Sequence, residues 1–221
     1  MSTPMTSWHE ATAPLWRGNM ALAQLLGLCP LLAVTTTVVN GLALGLASAA
    51  VIVVASTTMA ALKRALKPAA RLAVALLILA ALVTVVDLFM EAVFYDLHGM
   101  LGIFIPLIVV NSGLLAHAQS VAGIRSIGFT FLSALATGLG FLLVFVVLGA
   151  FRELVGHGTL LSGIELLAGD GYRGLTLELP FGGMLVAILP PGAFLGMGLL
   201  LALRNRLTKT SDERIAAGTP R

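Results

Sequence analysis

The chain has 221 residues, 58% of them hydrophobic and only 10% charged, with a formal net charge of +3. Its mean hydropathy is +1.02 and its isoelectric point lies near 9.5. Soluble domains carry about 25% charged residues, so the composition excludes a soluble enzyme and implies a polytopic, all-α integral membrane protein. The basic excess does not point to nucleic acid, because it falls in short flanks beside apolar runs, where Lys and Arg set orientation in the lipid bilayer. A single cysteine, Cys29, excludes an internal disulfide and any multi-cysteine metal site built by this chain alone. The N-terminal stretch lacks an apolar core directly behind a basic cluster and does not read as a cleaved signal peptide.

In chain order, residues 1–20 form a polar segment, 21–203 a membrane domain and 204–221 a polar tail, expected to fray. Residues 21–62 hold no charge, and a span needs about 20 residues, so the run holds two. Asn40-Gly41 is the turn signal between span I (21–39) and span II (42–62). A basic stretch with Lys63, Arg64, Lys67 and Arg71 leads to span III (72–90). The loop 91–99 carries Glu91, Asp96 and His98 and precedes span IV (100–118), which contains Pro106. Span V covers 128–151, and a long glycine-bearing connection runs over 152–180. Span VI covers 181–203 and is interrupted by Pro190-Pro191-Gly192.

Six spans put both termini on one side. That side holds Arg17, Lys63, Arg64, Lys67, Arg71, Arg125 and every basic residue of the tail; the other holds Arg152 and Arg173. Positive charge marks the cytoplasm. Both termini are therefore expected to be cytoplasmic.

Two stretches share a pattern. LLGLCPLLAVTTTVVN (25–40) aligns with LGIFIPLIVVNSGLLAHA (101–118) when Pro30 is set on Pro106, with Gly27 and Gly102 upstream. At 1.5 Å per residue, Cys29 lies ~13 Å in from the cytoplasm and Ser112 ~16 Å in from outside. The hydrocarbon is about 30 Å thick. The pattern implies an inverted repeat, with two broken half-helices (spans I and IV) meeting at mid-membrane.

Among single residues, Cys29 reads either as a small buried hydrophobe or as a thiolate ligand at a helix break. Thr35, Thr36, Thr37, Asn111 and Ser112 can bond carbonyls freed by such breaks. Asp87 and Glu91, four apart on one helix face, are a candidate ion path. Arg152-Glu153 reads as an interfacial pair, Gly156-His157-Gly158 as a turn, and His98 and His117 as isolated, solvated side chains.

Four motifs in order, LLGLCPLLAVTTTVVN, LGIFIPLIVVN, LGAFRELVGHGTL and LPPGAFLGMGL, resemble the E-type membrane components of the Rnf electron-transport complex, from about Trp16 to Leu203. The D-type component of the sodium-pumping NADH:quinone oxidoreductase is a close relative and the alternative identity. The resemblance implies six helices in an inverted repeat and a homologous A subunit of opposite topology. It also implies an iron–sulfur cluster of the 2Fe-2S type at mid-membrane, with two cysteines from each of the paired chains. The B, C, D and G components of such a complex would be further partners, and electrons would move between ferredoxin and NAD, coupled to ion transport. Carried over residue by residue, Cys29 is the first ligand. The second falls on Ser112, where the family has cysteine, and this is a departure from the pattern.

Two other functions fit the same repeat. A small secondary transporter predicts a substrate-sized polar cavity. A membrane scaffold would have no use for Cys29.

Overall fold

The structure, a computed structural model, describes residues 19–62, 65–121, 127–164, 177–178 and 183–217. Expectations placed on residues 1–18, on Lys63 and Arg64, on Arg125, on Arg173, and on 218–221 lie outside the described residues.

The described chain is mostly helical. Its elements are α1 (Met20–Ala23), α2 (Leu28–Val34), α3 (Val38–Leu62), a 3-10 turn (Pro68–Ala70) leading into α4 (Arg71–Val93), and α5 (Tyr95–Leu101). A second 3-10 turn (Ile105–Ile108) precedes α6 (Ser112–Val121) and α7 (Ile127–Gly156). Short strands β1 (Thr159–Leu160) and β2 (Leu177–Glu178) pair antiparallel, ahead of α8 (Leu185–Ile188) and α9 (Pro190–Ala217). Three helical segments are long and apolar enough to cross a membrane: Val38–Leu62, Pro68–Val93 and Ile127–Gly156.

The expected breaks are present, but Pro30 and Pro106 do not make them. Pro30 sits in the first turn of α2, where its missing N–H has no helical partner to lose. The chain turns upstream instead, at Leu25 (φ 54°) and Gly27 (φ 78°). Pro106 likewise occupies the start of its 3-10 turn, with the interruptions on either side of that turn. Four further readings are corrected. Asn40-Gly41 lies inside α3, and the turn falls at Thr35–Thr37. The 91–99 loop is helical except at Phe94, the boundary between α4 and α5. Span VI breaks at Leu189, just before the prolines. The polar tail continues α9 to Ala217.

The core forms where α3 and α7 pack antiparallel. Gly41, Gly45 and Ala49 on α3 meet Phe145, Leu142 and Gly138 on α7 in reversed order. Small residues let backbones approach where no hydrophobic effect drives helices together in lipid. At Gly41 a Cβ would lie 2.8 Å from the Phe145 carbonyl oxygen, and at Gly149 it would lie 2.8 Å from that of Thr37. This explains why an Asn-Gly pair sits mid-helix: the glycine serves packing rather than a turn. Phe141 and Phe145 stack edge-to-face, with centroids 4.8 Å apart, on the same helix. By contrast α4 is mostly exposed, with Leu77, Val85 and Leu88 on its outer surface.

Gly41→Ala should therefore force the two helices apart, because its Cβ meets backbone that cannot rotate away. The expected cost is about 1–3 kcal/mol, read as an earlier thermal transition of the purified protein in detergent. Gly128→Ala is the control, since no atom lies within 4 Å of a Cβ there. Equal transitions for the two variants would contradict the packing argument.

Candidate functional site

The two broken stretches meet. α2 packs against the 105–108 turn, and Gly27 lies against the side chain of Asn111, where a Cβ would fall 2.7 Å from Oδ1. Gly27 is thus required twice, by its left-handed backbone and by the space that Asn111 fills. Asn111 is buried and caps α6: its Oδ1 accepts from Gly113 N at 3.0 Å and Leu114 N at 3.4 Å. Asn19 does the same for α1, accepting from Ala21 N and Leu22 N, while its Nδ2 donates to Gly140 O at 2.7 Å.

Cys29 and Ser112 stand two residues and one residue beyond this contact, and both are exposed on the surface of the chain. Cys29 is therefore not a small buried hydrophobe. A thiol and a hydroxyl are the donors on offer, and among the described residues no three His, Cys, Asp or Glu side chains converge as a metal site.

Two of the three threonines act on the backbone, while Thr36 Oγ1 accepts from the Asn40 side chain. Thr35 is fully buried and donates to Leu31 O at 2.7 Å. Thr37 Oγ1 accepts from Asn40 N at 3.2 Å, on the first turn of α3.

The acidic pair expected on α4 is divided. Asp87 Oδ1 lies 2.9 Å from His98 Nε2, and the ring of His98 rests against Gly102, at the start of the second break. Glu91 is exposed. His98 is therefore not isolated and only partly solvated; it ties α4 to α5. His117 is not solvated either. Its Nε2 is buried without a hydrogen-bond partner, and the ring lines a cavity of about 280 Å³ with Met20, Gln24, Gly113, Ser120 and Thr137.

The largest correction concerns Arg152 and Glu153. They are not a surface pair but lie inside the protein, with exposures of 1% and 0%. Neighbours on a helix do not face one another, and their bonds go to different elements. Arg152 Nη1 donates to Leu32 O at 3.1 Å and to Thr35 Oγ1 at 3.0 Å, while Nε donates to Ala187 O at 3.2 Å and Nη2 to Ile188 O. Glu153 Oε2 accepts from Val38 N at 2.8 Å; Oε1 accepts from Ser162 N at 2.6 Å and from Thr159 Oγ1. Sequence gives no depth signal for this dipeptide, because a charge at the end of an apolar run looks the same inside and outside the bilayer.

Residues 7–201 match a family described as Rnf-Nqr subunit, membrane protein. Among curated relatives, the chain is 49% identical over 208 residues to the E subunit of the ion-translocating oxidoreductase complex of Pseudoalteromonas atlantica, covering 92% of this chain and 88% of that protein. Its counterpart of the same name from Thioalkalivibrio sulfidiphilus is 47% identical over 211 residues (94% and 92%). That of Shewanella frigidimarina is 44% identical over 223 residues (98% and 94%). With a family match over most of its length and relatives of this similarity, the chain belongs to the Rnf-Nqr family of membrane proteins.

Proposed function

We propose that this chain is the E-type membrane component of an Rnf-type ion-translocating ferredoxin:NAD oxidoreductase. In this reading it carries electrons across the inner membrane through a 2Fe-2S cluster shared with a homologous A subunit of opposite topology. The observation that carries it is the buried Gly27–Asn111 contact, which joins the stretch of the only cysteine to that of its repeat counterpart Ser112, while Cys29 and Ser112 themselves are exposed. The relatives' shared name, that of the E component of an ion-translocating oxidoreductase complex, supports the complex and favours E over D. The antiparallel packing of α3 and α7 supports the inverted repeat, which requires its second and fifth spans to run in opposite directions. The B, C, D and G components complete the assembly, and Asp87, held by His98, remains a candidate on the ion path.

An iron–sulfur cluster supplies reversible one-electron transfer when bound. This chain's residues hold and orient one side of it. Cys29 offers a thiolate, whose charge in low dielectric needs a cation such as iron beside it. Ser112 offers a harder oxygen than the sulfur such clusters use. Asn111 and Gly27 fix the two donors to one rigid junction.

Three outcomes test this. Alkaline phosphatase fused after Arg206 should be inactive, and the same enzyme inserted within 160–174 active; the reverse pattern contradicts six spans with cytoplasmic termini. Expressed without its partner chains, the protein should bind no stoichiometric iron, and a full cluster in the isolated chain defeats the shared site. In the whole complex, Cys29→Ala should abolish the cluster signal and electron transfer while the chain still inserts. Ser112→Ala should cost far less if its hydroxyl only bonds a neighbouring helix, a contact of about 0.6 kcal/mol, and as much as Cys29→Ala if it ligates iron. A Cys29→Ala complex with full iron content and full turnover sinks the assignment.

A further inference from the structure

We infer that Arg152 and Glu153 are positioning residues that set the place of the Cys29 helix, an inference that rests on Cys29 being a cluster ligand as proposed above. α2 is seven residues long, less than two turns. A helix this short is not stable by itself, so its position must be imposed from outside. Its last four carbonyls have no partner within the helix. Arg152 takes one of them, Leu32 O, and takes the hydroxyl of Thr35, the residue that closes the helix.

The same guanidinium holds Ala187 O and Ile188 O, the last two carbonyls of α8. One planar group therefore caps two helix C-termini, where a positive charge is favoured by the helix dipole. Glu153 completes the arrangement from the other side of the turn. Its carboxylate receives Val38 N, the first residue of α3, where negative charge is favoured. The remaining oxygen takes Ser162 N, in the connection that follows β1.

The dipeptide thus grips both ends of the Thr35–Thr37 turn. Cys29 lies three residues before Leu32, ~4.5 Å along the axis at the helical rise. A single turn has no joint in that distance, so a displacement of Leu32 is passed to the thiol. Arg152 also links this helix to the break ahead of Pro190, so the first and last interrupted spans share one anchor. Neither side chain is a cluster ligand; both act through α2.

The test uses the assembled complex carrying Arg152→Met, Arg152→Lys or Glu153→Gln, with iron content, cluster EPR line shape, midpoint potential and electron-transfer rate measured per complex. Removing a group that orients a metal ligand costs about 10- to 100-fold in activity, and Arg152→Met should fall in that range with a shifted potential and an altered line shape. Arg152→Lys keeps the charge but not the planar fork, so its rate should lie between wild type and Arg152→Met. Glu153→Gln should show a smaller change of the same kind. In parallel, a nitroxide on Cys29, the only cysteine of the full chain, should become more mobile in bilayers when Arg152 is replaced.

If Arg152→Met does not assemble, Arg152→Lys and Glu153→Gln carry the test alone. Activity losses that follow the abundance of the chain, with potential, line shape and label mobility unchanged, overturn the inference and leave a purely structural role. A complex whose cluster signal survives Cys29→Ala defeats the cluster reading instead, while the label mobility still decides whether the dipeptide holds α2.

Discussion

Every helix interrupted in a buried setting leaves backbone N–H and C=O groups that water does not reach, and each left unpaired carries a free-energy cost. This constraint organises the chain. Its breaks at 24–27, 35–37, 109–111 and 189 are each met by a nearby polar side chain or by close packing of protein. Asn19 and Asn111 cap α1 and α6. Arg152 and Glu153 serve the turn between α2 and α3 and the end of α8. They are four of the ten polar or charged side chains buried among the described residues, and all four sit beside freed backbone.

The glycine seam between α3 and α7 makes this possible. Glu153 reaches Val38 N because α7 runs close beside the start of α3, and Gly149 against Thr37 O allows that approach. A larger residue at 149 would move the carboxylate away from the helix start it serves. Packing and polar satisfaction are therefore coupled: the small residues set the distance across which the charged pair works. The exposed apolar face of α4 stands outside this seam, free to meet lipid or a partner chain.

Much of this is legible in the sequence. The uncharged runs, the two proline stretches and the sole cysteine lead to a membrane protein with paired breaks, because composition and repetition survive without knowledge of depth. Helix boundaries are not legible in the same way. Asn40-Gly41 carries the strongest local turn signal in its run, yet tertiary packing uses Gly41 for the Phe145 contact and moves the turn to three threonines. Pro30 and Pro106 mark where to look but sit at helix starts, where they disrupt nothing. Arg152, Glu153 and His98 read as surface groups because charge is normally exposed. Only the backbone groups that fold back onto the dipeptide, from residues as distant as Leu32 and Ile188, reveal that it is interior.

The buried dipeptide also differs from an ordinary buried salt bridge. A paired Arg and Glu that satisfy one another can often be replaced by apolar residues of similar volume without loss. Here each charge instead satisfies groups that would remain after such a replacement: two helix C-termini for Arg152, one helix N-terminus and one loop amide for Glu153. Exchanging both for methionine and leucine would strand those backbone groups in the interior. The arrangement is therefore not interchangeable with hydrophobic packing, and an arginine fork is better suited than lysine because four acceptors on two segments converge on one planar group. What the pair supplies is a fixed meeting point for three interrupted segments, in a protein interior where solvent does not take over the role.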